Sequence, residues 1–446
     1  MHRTRGLQLR RVVIACCYLL IITAPLSYAA SPLLRLQGSN TIGAQLAPAL
    51  VVGLLDAKGF KQIELTSGDA INEQRVLALN PAEQEVFFDI FAHGSGTGFS
   101  ALAASQAELA ASSRPIKAEE ALKLSHLGDF PSGQTEHVIA IDALAIIAHP
   151  SNPISALNTE QLAGLFSGSI SHWQALGGPE LPVRVYARDD NSGTYDTFKE
   201  LVLTRHNAIL TTQAQRFESS SALSEAVSRD PAAIGFIGLP YVRKAKALAI
   251  ASGESVAMLP TPELVATEDY PLSRRLYWYS AANSSNLWQQ ALIEFTQSRR
   301  GQEIVAQNGF IAQDVQALAQ DSTERPPHYQ QLSATAQRLT VNFRFQEGIS
   351  SLDSKAMRDI ERLVSYLKRH QLLHKKVVLV GFGDPNADPA RSQLLSKLRA
   401  MAVRKELVRQ GVFVKEISGF GDALPVASNT DESGRARNRR VEVWID

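Results

Sequence analysis

From residue 33 onward, short apolar runs alternate with longer stretches of helical spacing. The runs fall at 33–36, 87–91, 138–148, 183–186 and 234–237. Strands alternating with helical segments predict an α/β fold, with sheets covered by helices. After residue 336 the same reading gives a strand at 339–345, a helix at 352–367, a strand at 377–380, a helix at 394–408 and strands at 412–418 and 441–445. That β-α-β-α-β-β order predicts a small α+β sandwich of helices on one sheet. Between the two lies 321–335, with adjacent prolines Pro326 and Pro327 among mixed polar residues. Proline fixes φ and disfavours helix in the residue before it, so this stretch is expected to be a linker. The predicted organisation is 30–320, a linker at 321–335, and 336–446. Residues 67–85 read as an insertion before the second strand.

The first residues have a different character. Arg3, Arg5, Arg10 and Arg11 precede an apolar stretch at 12–26, and Ser27-Tyr28-Ala29 offers small residues for cleavage. The stretch is short for a membrane span of about 20 residues, so 1–29 is expected to be a secretory signal peptide. Cys16 and Cys17 are the chain's 2 cysteines. Only four apolar residues separate Arg11 from Cys16, too few for a lipoprotein signal. Cleavage after Ala29 leaves a chain without cysteine, which suits an oxidising compartment. No later stretch reaches 18 apolar residues, so the mature chain is expected to be soluble.

Composition narrows the functions. The chain has 446 residues, 45% of them hydrophobic, which excludes wholesale disorder. Lys+Arg is 45 against 44 for Asp+Glu, and aromatics are 7%, so nothing points to nucleic acid. The balance is uneven: residues 1–30 carry +4, 31–335 carry −10 and 336–446 carry +7. Such asymmetry suits a chain assembled from separate parts.

Four loops between 38 and 194 offer small donors after a strand. They are Gly38-Ser39-Asn40-Thr41, Gly94-Ser95-Gly96-Thr97-Gly98, Ser112-Ser113-Arg114-Pro115, and Arg188 to Thr194 with Ser192 and Gly193. Backbone N–H groups at helix starts, rotatable hydroxyls and the planar fork of Arg188 would together hold a tetrahedral oxyanion. Taken singly, such loops are often no more than caps and turns, and Arg188 could be a surface ion pair with Asp189 or Asp190. The ten His show no metal-ligand clustering and Ser192 has no evident base, so neither an enzyme nor a cofactor is expected.

In order along the chain, Gly-Ser-Asn-Thr-Ile (38–42), Gly-Ser-Gly-Thr-Gly-Phe-Ser (94–100), Ser-Ser-Arg-Pro-Ile (112–116), Leu-Phe-Ser-Gly (165–168), Arg-x-x-x-Ser-Gly-Thr (188–194) and Ala-Ile-Gly-Phe (233–236) resemble the periplasmic phosphate-binding proteins of ABC transporters. The resemblance implies a two-lobed, type II-like periplasmic-binding-protein fold with the anion in the cleft. It also implies contacts from Ser39, Asn40, Thr41, Ser95, Ser113, Arg188, Ser192, Gly193 and Thr194, and an ABC permease as a further partner. Some members place an aspartate after the serine of the third loop, where it accepts the proton of monohydrogen phosphate. Here that position is Arg114, which leaves selectivity among phosphate, sulfate, arsenate and molybdate open. Asp69, Asp189 and Asp190 are the alternative acceptors.

In the last hundred residues, Asp384 follows a Gly-rich turn and Arg399 lies in the next predicted helix. A carboxylate and a guanidinium side by side can clamp a ligand that carries both an ammonium and a carboxylate. Alone, the 437–440 arginines could instead be a phosphate or membrane patch. Gly-x-x-Asp (381–384), Leu-Ser-x-x-Arg-Ala (395–400) and Asn-Arg-Arg-Val-Glu (438–442) closely resemble the C-terminal domain of the outer-membrane protein A family. That resemblance implies noncovalent binding of peptidoglycan, with Asp384 and Arg399 gripping diaminopimelate and Asn438, Arg439 and Arg440 supporting the fold and the ligand edge. The family's usual His-Thr is here Phe382-Gly383, and its usual asparagine is Ser392.

The expectation is a periplasmic binder of phosphate or a similar oxyanion, attached to the cell wall and associated with the outer membrane, in phosphate uptake or sensing. The alternative is a wall-anchoring or adhesion protein whose first domain has lost or changed its ligand.

Overall fold

The computed structural model describes residues 31–318, 327–345, 352–373, 377–385 and 388–446. The expected signal peptide, with Arg3 to Arg11, Cys16 and Cys17, lies outside them, as does 321–326 of the expected linker.

Strand Glu136–Ala148 organises the first part. It is rich in Ile, Val and Ala, and every residue after Glu136 is buried. Period-two alternation is absent because both faces are covered. Its first half pairs antiparallel with Ser273–Ser280, from Glu136 opposite Tyr279 to Ala143 opposite Ser273. Its second half pairs antiparallel with Ala233–Gly238, from Leu144 opposite Gly238 to Ala148 opposite Ile234. One strand therefore passes from one half of an eleven-stranded sheet, counted among the described residues, into the other. The first half carries Leu34–Gly38, parallel to Glu85–Phe91 and Leu109–Ser112. The second carries Arg184–Arg188, parallel to Ala233–Gly238 and Gln215–Phe217. These halves are two lobes, and the crossing lies between Asp142 and Leu144.

Each lobe has its own apolar packing. Helix Leu46–Ala57 sets Leu50 and Leu54 against Leu34, Phe88 and Leu292 in the first. In the second, Phe166, Trp173, Phe198 and Phe236 cluster, and the Phe198 and Phe236 rings stack at 4.2 Å. The segment that read as an insertion is the turn and second strand of a hairpin. Lys61–Ser67 pairs with Glu73–Leu79, which pairs with Glu85–Phe91 and so extends the edge of the first lobe.

In the C-terminal part a separate sheet has four strands among the described residues, ordered Gln337–Arg344, Arg440–Ile445, Val377–Gly381 and Val414–Gly419. Helices Ser354–Arg369 and Pro389–Arg409 send Ile360, Leu363, Val403 and Leu407 onto Leu339, Phe343, Leu379 and Val443. The predicted order is recovered with one addition, a short helix Glu432–Asn438 whose start is capped by the Asp431 side chain.

A second difference falls in the expected linker, where Pro327–Thr335 is a helix. Proline is tolerated in the first turn of a helix, since it restricts mainly what precedes it. Tyr329 is buried against Phe382, Phe420 and Trp444, and its hydroxyl donates to Glu442. Apolar contact outweighs the polar composition of the surrounding stretch.

Pro32–Asp446 forms one unit, in which the second lobe and the four-stranded sheet are joined by charge. Asp269 of the second lobe accepts from Arg338 at 2.7 Å, Arg344 at 2.9 Å and Asn342 at 3.1 Å. Arg437 donates to the carbonyls of Tyr270 at 3.0 Å and Ser273 at 2.9 Å. Burial pushes its guanidinium down to about 9, with Arg344 and Arg205 adding. The basic cluster at 437–440 therefore faces inward and is not a surface patch.

Candidate functional site

The four loops converge where the lobes meet. Leu34–Gly38 ends at a glycine with φ 138°, where a Cβ would lie 2.1 Å from the Ala111 carbonyl oxygen. Only glycine lets the first and third loops approach this closely. The chain then turns into Ser39, Asn40 and Thr41. Together with Ser95, Ser113, Arg188, Ser192 and Thr194, these are at most 3% exposed. Thr41 Oγ1 of the first lobe is 3.0 Å from Thr194 Oγ1 of the second. Ser95 Oγ accepts from the Ser113 N–H at 3.1 Å and lies 3.4 Å from Ser113 Oγ. Gly193 comes in above them, and a Cβ there would sit 2.1 Å from Ser95 Oγ and 2.7 Å from Ser113 Oγ. Ser192 caps helix Gly193–Phe198, accepting from Tyr195 N–H. The lobes are in contact, so the cleft is closed.

Arg188 is a buried cation, not a surface ion pair. It donates to the Phe217 carbonyl at 3.1 Å, to Ser220 Oγ at 2.7 Å and to the Glu218 carbonyl. Ser220 in turn donates its N–H to Asn40 Oδ1 at 3.3 Å, which joins this arginine to the first loop. Burial pushes the guanidinium down to about 10, Asp189 opposing and Arg274 adding. It keeps its charge at neutral pH.

Sequence reasoning missed a second arginine. Arg274 donates Nε and Nη2 to Asp142 Oδ2 at 3.0 and 2.7 Å. Its Nη1 reaches Thr194 Oγ1 at 2.8 Å and its Nη2 reaches Thr41 Oγ1 at 3.4 Å. Asp142 is 0% exposed and also accepts from Leu239 N–H at 3.1 Å. Burial raises its carboxyl pKa, and Arg274 opposes that rise. The signal was present: Asp142 is the one charged residue in the apolar run 138–148. A carboxylate in a strand buried on both faces needs a cation.

The doubtful positions also resolve. Arg114 is buried but turned away from the hydroxyls, donating to Glu120 at 2.7 Å and Asp196 at 2.7 Å. It fixes the third loop to its neighbours. Asp69 is exposed, and Asp190 is 88% exposed and paired with Arg216. Asp189 Oδ2 is buried without a hydrogen-bond partner, 3.7 Å from Arg188 Nη2. Among the described residues no cluster of His, Cys, Asp or Glu could hold a metal. Buried hydroxyls, amides and two guanidinium groups suit a small, multiply charged anion.

Asp384 and Arg399 are also brought together. Asp384 Oδ1 is 3.7 Å from Arg399 Nη2, and Oδ2 accepts from Arg439 Nη1 at 3.0 Å. Arg439 is 1% exposed and also pairs with Glu432. The Asp384 and Arg399 side chains keep 23% and 14% exposure, so both are partly open to solvent. Burial lowers the Arg399 guanidinium pKa, with Asp384 opposing. Ser392 donates to the Asp384 carbonyl at 2.9 Å. Asn438 is 1% exposed and turned inward: it accepts from Val426 and Ala427 N–H and donates to the Ala427 carbonyl. It holds the preceding loop.

Residues 67–300 match the PBP superfamily domain, and 344–439 match the OmpA family. The chain is 29% identical over 253 residues to phosphate-binding protein PstS of Borreliella burgdorferi, covering 55% of this chain and 87% of that protein. It is 30% identical over 243 residues to phosphate-binding protein PstS of Pseudomonas aeruginosa strain PAO1, covering 51% and 74%. A solved structure of PstS from Borrelia burgdorferi aligns with a TM-score of 0.40 and 26% identity, over 63% of this chain and 99% of that one. The chain belongs to the PBP superfamily, alongside the PstS phosphate-binding proteins, and carries an OmpA family domain toward its C-terminal end.

Proposed function

We propose that this protein captures phosphate between its two lobes while its OmpA family domain holds peptidoglycan, in phosphate uptake or sensing at the cell envelope. The carrying observation is the buried meeting of Thr41, Ser95, Ser113, Gly193 and Thr194 beside Arg188 and Arg274. Uncharged donors at short range hold an anion despite the −10 on this part of the chain, because surface charge is screened beyond ~8 Å. The PstS relatives, themselves phosphate-binding proteins, support phosphate as the anion. The pairing of Asp384 with Arg399 supports a diaminopimelate clamp, with Arg439 beneath it. Secretion by a cleaved signal peptide, periplasmic residence and an ABC permease as recipient complete the reading.

Calorimetric titration of the mature chain with phosphate and sulfate tests it. Heat with phosphate, lost in Arg188→Gln, is expected. Absence of heat with either anion below millimolar overturns capture and leaves a wall-binding structural protein.

A further inference from the structure

At the rim of the anion site one imidazole joins the lobes. His93 lies two residues before Ser95, in the first lobe. Its Nδ1 is 2.9 Å from Glu218 Oε1 and its Nε2 is 3.1 Å from Glu73 Oε1. Glu73 opens the second strand of the edge hairpin, also in the first lobe. Glu218 lies between Gln215–Phe217 and Ser220–Arg229 of the second lobe, and its backbone carbonyl accepts from Arg188. A neutral imidazole has one N–H and one lone pair. It satisfies one carboxylate and turns its lone pair on the other. Both contacts are favourable at once only for the imidazolium, which donates from both nitrogens.

We propose that His93 is a pH-dependent latch on anion capture. Protonated, it ties Glu218 of the second lobe to Glu73 of the first and holds the cleft shut; deprotonated, it lets the lobes part. This rests on the phosphate-capture reading and adds its regulation.

The local charges fix the sign. Glu73 and Glu218 face the ring directly. Arg188 and Asp189 stand one layer out, both coupled to Glu218, with opposite charges that offset each other. Burial disfavours the charged ring, but the carboxylates of Glu218 and Glu73 outweigh it and hold the His93 pKa above its usual value. The ring keeps 29% exposure, so it exchanges protons with solvent. When the lobes part, Glu218 leaves with the second lobe and the ring loses one carboxylate. The closed form then binds the proton more tightly than the open form. By linkage, the proton and the anion reinforce each other's binding. Capture tightens as the medium acidifies through the histidine range and loosens as it turns alkaline.

The test is calorimetric titration of the mature chain with inorganic phosphate at about pH 5.5 and about pH 8.5, either side of the ordinary histidine range. Three proteins are compared: the parent, His93→Gln, which is neutral throughout, and His93→Arg, which is charged throughout. The ionisation of phosphate itself is common to all and cancels in the ratios. The parent should bind about fivefold more tightly than His93→Gln at the lower pH, roughly 1 kcal/mol, and equally at the higher. His93→Arg should keep its advantage over His93→Gln at both. Glu218→Gln, which leaves the ring in place, should lose the same pH-dependent advantage as His93→Gln and guards against a folding defect in the ring variants. Phosphate binding with one constant ratio at both pH values overturns the latch alone. No phosphate binding by the parent at either pH overturns the capture reading and the latch with it.

Discussion

Arg274 Nη2 lies 2.7 Å from Asp142 Oδ2 and 3.4 Å from Thr41 Oγ1, while its Nη1 donates to Thr194. One guanidinium thus joins the strand that crosses between lobes to a hydroxyl from each of them. The hinge and the anion site share this residue. Replacing Arg274 by Met should leave Asp142 buried without its cation and destabilise the fold by about 3–5 kcal/mol. Urea denaturation reads the loss directly. The double variant with Asp142→Asn should recover part of it. An unchanged midpoint for the single variant would show that water or another group already compensates the carboxylate.

Gly193 sits where a Cβ would lie 2.1 Å from Ser95 Oγ. Gly193→Ala should therefore leave each lobe folded but hold the cleft from closing. Overpacking of this kind costs about 1–3 kcal/mol, so phosphate affinity should fall by roughly 5- to 150-fold with little change in melting temperature. Affinity equal to the parent's would mean that the second and fourth loops stay apart in the anion-bound form.

Asp269 should set the acid stability of the contact between the second lobe and the four-stranded sheet. Burial pushes its carboxyl pKa up, but Arg338, Arg440 and Arg344 outweigh this and hold it down to about 2. A depressed carboxylate stabilises above its unfolded pKa of about 3.9 and loses that contribution as pH falls through its folded value. The melting temperature should therefore decline between about pH 4 and pH 2, and Asp269→Asn should remove this part of the decline while lowering stability at neutral pH. Parallel pH profiles for the two proteins would rule out Asp269 as the source.

Asp384 has two arginine partners of unequal depth. Arg439 is 1% exposed and holds the carboxylate at 3.0 Å, whereas Arg399 stands 3.7 Å away with 14% exposure. Arg399→Gln should spare the fold, with a loss of at most about 1 kcal/mol for so loose a pair, and release the protein from isolated peptidoglycan sacculi. Asp384→Ala should release it too, but with a larger drop in stability, because among the described residues Arg439 then keeps Glu432 alone as its carboxylate. Full retention of Arg399→Gln in a sacculus pull-down would refute the clamp.

Much of this architecture follows from local pattern. The strands at 87–91, 138–148 and 377–380 and the helix at 352–367 were legible because apolar spacing dictates which residues leave water. So were the hydroxyl loops as a set: each alone reads as a cap or turn, but four of them after strands, in order along the chain, point to one anion site. Pro327–Thr335 was not, because its helix is held by Tyr329 meeting Phe382, Phe420 and Trp444, residues more than 50 positions away. Arg274 escaped for the same reason: it stands 132 residues from Asp142 and 80 from Thr194.

By itself, then, the chain's order of residues determined an α/β part and a small α+β part, the loops that carry hydroxyls and the pair Asp384 and Arg399. Only the tertiary structure decided that Arg188 is buried, that Arg274 joins both lobes, that His93 bridges Glu73 and Glu218, and that the 437–440 arginines face inward. Local spacing sets which side chains are apolar or hydrogen-bonding. The partners of a buried charge are set by long-range packing, and those distances are not written in the neighbouring residues.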